Sequence, residues 1–454
     1  MEYNKILARS FSHSERKKIG YWAIGACLVV TLLTSFALIS KPSYLATSLP
    51  IHTSSSSPHI SSMRPEIKLT PVCNVLDPRF DICEIDGHIR VHGKSSTVLY
   101  STSSARGISS TRNESWRIKP YARKPDNSAM AVVNEILVKP LLVNDLNQPN
   151  CSTYHTVLAV IFSVGGYAGN HYHAYTDILV PLFLTSHRFN QQVQFLVTNF
   201  NPYWISKYKP ILNHLSKYPI LDIDKENDVH CYPSVIVGLE FHKDLTIDPL
   251  KSPKHPYSMT NFTRFLRNTY SLKRSSPLKM RGHSKKPPRL LIVSRKRTRK
   301  FTNEDEIAKM ARSLGYEVIV EEPGVTKNAT RFAQMVNSCD VMMGVHGAGL
   351  TNMVLLPPNA VFIQIVPWGG LEWVCRVTFE EPAKDMKLKY LEYKITENES
   401  SLIQQYPLDH ADPGSIRKQG WHALRSVFLD NQDVNIDVER FRPTLLKALE
   451  LLHV

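Results

Sequence analysis

Short apolar runs alternate with amphipathic stretches of helical periodicity between residues 289 and 366, and this is the clearest pattern in the chain. The runs RLLIVSR, YEVIVEE, VMMGV and AVFIQIV are typical of buried strands. The stretch EDEIAKMARSL begins with the cap-like spacing of Asn303 and Glu306 and stops at Gly315, so it predicts a helix. Residues 330–338 and LTNMVLL predict two more helices. The alternation predicts a parallel sheet with right-handed crossovers.

The first half of the chain carries a weaker pattern. Its clearest strands are TVLAVIFSV at residues 156–164 and QVQFLVT at residues 192–198. A basic, proline-containing stretch at residues 271–288 predicts an exposed linker between two globular regions. We therefore predict an α/β protein with an N-terminal domain at residues 71–275 and a C-terminal domain at residues 285–454.

The segment Ile19–Ile39 contains no charged residue and is long enough to cross a bilayer as a helix. Basic residues are frequent before it, whereas only Lys41 follows before Arg64. The positive-inside rule then predicts a cytosolic tail at residues 1–18, a signal anchor at residues 19–40 and a luminal body. A cleaved signal peptide is the alternative, although its apolar core is usually shorter, about 7–15 residues. Residues 41–70 are rich in Ser, Pro and Thr, which predicts a flexible stem.

Two features of the body agree with a luminal location. Acceptor sequences for N-glycosylation occur at Asn113, Asn150, Asn261, Asn328 and Asn398. Six cysteines lie beyond the apolar segment, and spacing alone does not determine how they pair. Cys73 and Cys83 flank a turn-like Asp-Pro pair, so we favour a disulfide between them.

The net charge of the chain is +15 and its isoelectric point is about 9.4. A basic balance favours an anionic partner, which could be a nucleic acid, a membrane surface, a nucleotide or an acidic polysaccharide. A luminal protein does not meet nucleic acid, and the sequence has no fingerprint of a nucleic-acid-binding module. Nucleic acid is therefore not an expected partner.

A glycine-rich turn separates the strand VMMGV from the helix that follows it. Free backbone N–H groups at a helix start attract anions, and glycines let a diphosphate approach the backbone closely. The turn also lies at the carboxyl end of a parallel strand, where ligands bind in open α/β sheets. A tight turn without a ligand is the alternative. The candidates for binding the diphosphate of a ligand here are His346, Gly347, Ala348, Gly349, Leu350, Thr351 and Asn352.

A basic loop follows the first strand of the same sheet and carries Ser294, Arg295, Arg299 and Asn303. Its two arginines are suited to bidentate hydrogen bonds with a diphosphate. Other basic residues are interleaved with them, so a solvated loop is the alternative. Because both loops follow parallel strands, we expect them to converge at one edge of the sheet.

A third polar cluster opens a predicted helix in the first half of the chain. His173 and Asp177 are four residues apart, so they share a helix face and could act as a base and its orienting group. An ordinary helix cap is the alternative. His171 and His173 could instead bind a metal, but no third ligand is evident, and we expect no metal site.

Several stretches of the chain resemble glycosyltransferase family 61. They are GYAGNHYHAYTDILVPLF, LLIVSRKRTRKFTNEDEI and GVHGAGLTNMVLLPPNAVFIQIVPWG, while CNVLDPRFDICEIDGHIRV and the tail beginning YPLDHADPGSIRKQGW resemble its plant branch. The resemblance extends from about Cys73 to the C-terminus. The family's three motifs, His-Gly-Ala-Gly, Arg-x-x-x-Arg-x-x-x-Asn and His-x-x-x-Asp, fall on residues 346–349, on Arg295, Arg299 and Asn303, and on His173 and Asp177.

The resemblance implies an inverting transferase of the GT-B type, in which two Rossmann-like domains face a cleft. The N-terminal domain would bind the acceptor and the C-terminal domain the nucleotide sugar. It also implies a single-pass type II protein of the Golgi membrane with a luminal catalytic domain. The donor would be a UDP-sugar, and neither a metal nor another cofactor is expected.

Plant members of the family decorate xylan with arabinosyl or xylosyl groups, or add β-1,2-xylose to N-glycans. The expected function is therefore transfer of xylose or arabinofuranose to a cell-wall polysaccharide such as xylan, and action on N-glycans stays open. A complex with other Golgi transferases is also an open possibility. By this resemblance Asp177 is the base, with His173 orienting it or serving as the base itself. Both phosphate-suited loops would stabilise the leaving diphosphate.

Two rival interpretations remain. Asp222-Ile-Asp224 spells the Asp-x-Asp triplet of metal-dependent, single-domain transferases, although such triplets are frequent by chance. Outside enzymology, the chain could be a catalytically silent Golgi scaffold or a glycan-binding protein. Binding of UDP distinguishes the scaffold from a transferase.

Overall fold

The computed structural model describes residues 72–101, 114–141, 149–278, 286–323, 328–404 and 413–453. The predicted tail, signal anchor and stem, and the acceptor Asn113, lie outside these residues. Among the helices that are described, none is both long and apolar enough to span a membrane.

Ten strands of the N-terminal half form one mixed sheet. They are β1 (Cys73–Asn74), β2 (Ile82–His92), β3 (Thr97–Tyr100), β4 (Trp116–Ile118), β5 (Ile136–Pro140), β6 (Thr153–Tyr154), β7 (Leu158–Ser163), β8 (Val193–Thr198), β9 (Leu221–Asp222) and β10 (Val229–Val237). The main path runs β4-β5-β3-β2-β10-β7-β8-β9. β10, β7, β8 and β9 pair in parallel, whereas β2 pairs antiparallel with β10 and β3. This half is therefore Rossmann-like only in its parallel part.

Two disulfides hold the antiparallel part of this sheet. Cys73–Cys83 joins β1 to β2 and is the pair that the sequence favours. Cys151–Cys231, which spacing did not indicate, fastens the segment before β6 to β10. In the described part of the chain Cys339 and Cys375 are free and buried.

The second sheet has five parallel strands in the order β12-β11-β13-β14-β15. They are β11 (Arg289–Val293), β12 (Glu317–Glu321), β13 (Val341–Val345), β14 (Val361–Val366) and β15 (Lys389–Lys394). The predicted alternation of strand and helix is confirmed for the first four. The sequence LKYLEYK did not predict β15, because this edge strand carries three charged residues, Lys389, Glu392 and Lys394, and lacks a continuous apolar run.

The helices cover most of the connections between strands. They are α1 (Asn127–Met130), α2 (His171–His173), α3 (Val180–Ser186), α4 (Pro202–Leu215), α5 (Met259–Thr269), α6 (Glu304–Ser313), α7 (Ala329–Asn337), α8 (Glu372–Cys375), α9 (Glu381–Asp385), α10 (Pro413–Lys418), α11 (Trp421–Arg425) and α12 (Val438–His453). A π-helical segment, Ala174–Leu179, joins α2 to α3. The helix predicted after the glycine-rich turn is a 3-10 helix, Ala348–Leu355.

One apolar core runs from the first sheet to the second. It includes Phe162 and Phe195 of the first sheet, Phe262 of α5, and Met342 and Phe362 of the second sheet. Each fully buried side chain of this kind contributes about 1.5–3 kcal/mol. This shared core fixes the carboxyl ends of β7 and β13 relative to each other, and both ends lead directly into the candidate site.

The start of the predicted linker has exposed residues, among them Ser271 and Lys273, but it is anchored at Arg274 and Leu278. The Arg274 guanidinium donates to the Asp340 carboxylate and to the Ser338 carbonyl oxygen, each at 2.5 Å. The Asp340 carboxylate also accepts from the backbone N–H of Leu278 and of Arg289. Asp340 is buried and directly precedes β13, so these bonds hold Arg274 and Leu278 on one side of the linker, and Arg289 on the other, next to this strand.

Candidate functional site

The two loops singled out in the sequence converge at the carboxyl ends of β11 and β13. Gly347 has a φ of 153°, and a Cβ at this position would lie 2.6 Å from Nη1 of Arg295 and 3.4 Å from Cζ of Arg299. Both guanidinium groups therefore pack against the Gly347 backbone. A Cβ on Gly349 would lie 3.2 Å from Val293, which shows how closely the turn approaches β11.

Arg295 and Arg299 are neighbouring cations that form no ion pair with any described residue. Burial lowers the pKa of Arg295, and Glu322 offsets this only in part. Burial, and then the charge of Arg295, lower the pKa of Arg299 to about 9. Nε of Arg299 is buried and finds no hydrogen-bond partner among the described residues. Two half-buried like charges side by side, with no carboxylate at ion-pair distance among the described residues, are typical of an anion-binding site.

His346 supplies an uncharged group beside these arginines. Its side chain is buried, and burial followed by the charges of Arg299 and Arg295 lowers its pKa to about 3. The Gln364 amide lies 2.8 Å from Nδ1, and its oxygen accepts from the Tyr390 hydroxyl at 2.8 Å. This orientation of the amide makes Nδ1 an acceptor, so the proton of the neutral ring is on Nε2.

Three of the donor-binding candidates have side chains that are buried or engaged in other contacts. The side chains of Leu350 and Thr351 are fully buried, and the Thr351 hydroxyl has no hydrogen-bond partner among the described residues. The Asn303 amide donates to the carbonyl oxygen of Ile436 at 2.8 Å and its oxygen accepts from the N–H of Ile436 at 3.1 Å. Asn303 therefore fastens the start of α6 to the segment before α12.

A cleft of about 920 Å³ opens beside the two loops. Ser294, Arg295, Ala348, Gly349 and Asn352 line one wall, and residues of α2, α4 and α5 with their flanks line the other. The cleft is large enough for a nucleotide sugar, since small-molecule sites commonly measure about 300–1,000 Å³.

His171 connects the two walls, a role that the sequence did not indicate. Its Nε2 lies 3.2 Å from Oδ1 of Asn352, and the Asn352 amide donates to the Gly349 carbonyl oxygen at 2.9 Å. Nδ1 of His171 lies 2.9 Å from the Tyr208 hydroxyl. Burial, and then the charge of Lys207, lower the pKa of His171 to about 4, so the ring is neutral.

Asp177 is fully buried and its carboxylate is saturated. It accepts from the Tyr121 hydroxyl at 2.8 Å and from two Arg123 nitrogens at 2.9 Å each, and Nδ1 of His173 lies 3.0 Å away. Burial alone would raise the pKa of Asp177, but the hydrogen bond from His173 and the charge of Arg123 lower it. The lowered pKa does not favour Asp177 as a general base. Its geometry suits it to orient His173.

His173 lies on the far side of α2 from His171. Its side chain is 22% exposed, and Nε2 has no hydrogen-bond partner in the described ranges. It does not line the 920 Å³ cleft, and neither do Arg299, His346 and Gly347, whereas Arg295 and Gly349 do. The rings of Tyr172 and Phe379 pack between His173 and His346, with successive centroids 5.5 to 5.6 Å apart.

Tyr121 and Arg123 were missed in the sequence. They precede Asp177 by more than fifty positions, in the loop between β4 and α1, and no local spacing marks them. Only the tertiary fold reveals that a buried carboxylate needs these donors.

The rival Asp-x-Asp triplet is engaged elsewhere. The Asp224 carboxylate accepts from the Thr198 hydroxyl and the Asn199 N–H, each at 2.6 Å, and Asp222 pairs with Lys225 at 2.7 Å. These contacts fasten the carboxyl end of β8. Within the described ranges, no three His, Cys, Asp or Glu side chains are grouped as metal ligands would be.

The predicted glycosylation acceptors differ in accessibility. Asn150 and Asn398 are exposed. The Asn261 side chain accepts hydrogen bonds from Ser258 at the start of α5. The Asn328 side chain caps α7 and lines the cleft.

Replacing Gly347 by alanine is expected to weaken UDP binding at least tenfold. The methyl group would displace the Arg295 guanidinium, and the backbone conformation is one that alanine rarely adopts. Gly315→Ala is the matched control, because Gly315 also has a positive φ, 94°, but nothing lies within 4 Å of its missing Cβ. Titration calorimetry with UDP measures the affinity of both variants. If both lose the same affinity, the cause is backbone strain and not displacement of the Arg295 guanidinium.

Acidification is expected to destabilise the fold between about pH 6.5 and pH 5. The pKa values of His346 and His171 fall to about 3 and about 4 in the folded chain, so the unfolded chain binds protons first as the pH falls. Each histidine then lowers the free energy of unfolding by about 1 kcal/mol per pH unit. Denaturant melts at pH 7, 6 and 5 measure this slope. His346→Gln should reduce it, and an unchanged slope would contradict the assignment.

The family profile described as Glycosyltransferase 61 matches residues 171–363. The alpha-1,3-arabinosyltransferase XAT2 of Oryza sativa subsp. japonica is 48% identical over 386 residues, which cover 84% of this chain and 65% of that protein. The beta-1,2-xylosyltransferase XYXT1 of the same organism is 42% identical over 395 residues, which cover 84% of both chains. The xylan glycosyltransferase MUCI21 of Arabidopsis thaliana is 36% identical over 393 residues, which cover 83% of this chain and 78% of that protein.

The chain spans just under two thirds of the length of the two rice alpha-1,3-arabinosyltransferases, XAT2 and XAT3, at 65% and 66%. The profile match contains both phosphate-suited loops and the His173–Asp177 pair, whereas Tyr121 and Arg123 precede it. Identity to XYXT1 extends over most of both chains. The chain belongs to the glycosyltransferase 61 family.

Proposed function

We propose that this protein transfers a pentose, xylose or arabinofuranose, from a UDP-sugar to xylan with inversion at the anomeric carbon. The observation that carries the proposal is the uncompensated pair Arg295 and Arg299 against the Gly347 backbone, which suits a diphosphate. The names of the relatives support the acceptor and the sugar class, since they include arabinosyl- and xylosyltransferases and a xylan glycosyltransferase.

The reaction is a single displacement. An acceptor hydroxyl attacks C1 of the donor sugar, the bond from C1 to the diphosphate oxygen breaks, and UDP leaves with the bonding electron pair. Nε2 of His173 takes the hydroxyl proton while Asp177 holds Nδ1–H. Because His173 lies outside the donor cleft, the acceptor would reach it past Tyr172 and Phe379.

Charge stabilisation of the leaving diphosphate is the larger contribution to catalysis. Arg295, Arg299, the neutral His346 and the free N–H groups at the start of the Ala348–Leu355 helix would supply it. No metal is proposed, since the chain's own cations provide the positive charge next to the diphosphate.

The finer architecture belongs to the same proposal. The two sheets would be the cores of a GT-B pair of domains, at residues 71–275 and 285–454, facing the cleft. Residues 19–40 would anchor the chain in the Golgi membrane as a type II protein with residues 41–70 as a stem, which gives the site access to luminal UDP-sugars.

The test is transfer by the purified full-length chain to xylo-oligosaccharides. UDP-xylose and UDP-arabinofuranose are offered separately, each with and without EDTA, and the anomeric configuration of the product is read by NMR. Product from one donor, inverted and insensitive to EDTA, is the expected result. Activity that EDTA abolishes and manganese restores would contradict the metal-free mechanism, and measurable UDP binding without any product would contradict the pentose assignment.

A further inference from the structure

One face of α4 forms part of the cleft wall opposite the two loops. Tyr203, Ser206, Lys207 and Pro210 line the cleft, and their spacing of three, four and seven residues places them on one helix face. Lys209, on another face of the same helix, is exposed and does not line the cleft. The sequence PYWISKYKPIL gives no functional signal, because it reads as an ordinary amphipathic helix.

Lys207 is half-buried and lacks an ionic partner among the described residues. Its Nζ lies 5.2 Å from the centroid of the Tyr208 ring, and burial lowers its pKa. Even partial burial of an ammonium group without a carboxylate partner is unfavourable, because it removes part of the hydration of the charge. The missing partner is therefore expected to come from a ligand.

The charges around the cleft are strongly unbalanced. Lys207, Arg295, Lys296 and Arg297 line it, and Glu322 is the one acidic residue among the described residues of its lining. Glu322 lies 3.2 Å from Nζ of Lys296, so this pair is already neutral. The remaining cations come from both walls, which favours a ligand whose negative charge lies between them.

We propose that Lys207 is a donor-binding residue that contacts the diphosphate of the nucleotide sugar from the wall opposite Arg295 and Arg299. This inference rests on the proposed function and extends it, because it makes donor binding depend on both halves of the chain. The ammonium group forms a charge-assisted hydrogen bond with a phosphate oxygen and, with the two arginines, surrounds the diphosphate.

The diphosphate is favoured over an acidic group of the acceptor because Lys207 lines the same cleft as Ala348 and Gly349 of the glycine-rich turn. It is close enough to His171 for its charge to lower the pKa of that ring. His171 in turn contacts Asn352, which donates to the Gly349 carbonyl oxygen. A glucuronate on the acceptor would instead approach from the side of His173.

Titration calorimetry of UDP and of uridine into the full-length chain tests the proposal. Lys207→Met should weaken UDP binding about 10-fold or more, as expected for one charge-assisted hydrogen bond, and leave uridine binding unchanged. Lys207→Arg should restore affinity to within about threefold, because it keeps the charge. Lys209→Met, the matched control on the same helix, should bind UDP as the unaltered chain does.

Three results would overturn the proposal. The first is UDP affinity in Lys207→Met within about twofold of that of the unaltered chain. The second is equal weakening of UDP and uridine binding, which would indicate a packing role. The third is an increase in only the KM for glucuronate-bearing xylo-oligosaccharides, which would show that the lysine binds the acceptor. An unaltered chain that binds no UDP would overturn the proposed function itself.

Discussion

Arg299→Met is expected to lower kcat/KM for the donor about 10²–10³-fold while raising the melting temperature of the ligand-free chain. The arginine is half-buried beside Arg295, its buried Nε has no partner in the described part of the chain, and its pKa falls to about 9. A charge held in this way is unfavourable until an anion arrives, so an apolar side chain of similar length should add about 0.5–2 kcal/mol of stability. Loss of bidentate stabilisation of the diphosphate explains the slower reaction.

The matched control is Lys300→Met, which removes a charge from the next residue. Lys300 is exposed and lies 3.4 Å from Asp433, so neither activity nor stability should change appreciably. Steady-state kinetics and thermal melts with and without UDP measure both effects. A variant of Arg299 that melts lower than the unaltered chain and still responds to UDP would contradict the assignment of this arginine to the donor site.

His173→Ala is expected to lower kcat about 10²–10⁴-fold without changing the affinity for UDP. The imidazole is partly exposed, and only Nδ1 is held, by Asp177, so its removal costs little stability. Asp177→Asn should behave differently. It removes the nearer of two carboxylates around the half-buried Arg123 guanidinium, since Asp244 remains 3.6 Å away, and is expected to cost about 1–3 kcal/mol as well as activity.

The comparison of these two variants separates the base from its orienting group. Single-turnover kinetics measure the chemical step, and denaturant melts measure stability. A His173→Ala enzyme with kcat within threefold of the unaltered enzyme would exclude His173 as the base. Equal loss of stability in both variants would show that His173 is a structural member of the Asp177 network.

The parallel sheet and the phosphate-suited loops could be predicted because their signals are local. Continuous apolar runs mark β11 and β13, and the strand-to-helix order fixes where Arg295 and Gly347 must lie. The antiparallel half of the first sheet could not be recognised in the same way. β2 alternates buried and exposed positions, and its partners lie far away in sequence.

The direction of the pKa shift of Asp177 could not be predicted from the sequence. Burial and hydrogen bonding act on its pKa in opposite directions, and the outcome depends on Tyr121 and Arg123, which come from a distant loop. Lys207 illustrates the same limit. The sequence of α4 is that of an ordinary amphipathic helix, and only the structure shows that Lys207 lines the cleft whereas Lys209 does not.

A crystal structure of the chain with UDP bound would show where the diphosphate binds. We predict density for the diphosphate between the Arg295 and Arg299 guanidinium groups and the Gly347–Gly349 backbone, with the Lys207 ammonium on the opposite side. Density for the diphosphate beside Asp222 and Asp224, without contact to either arginine, would contradict the proposed donor site.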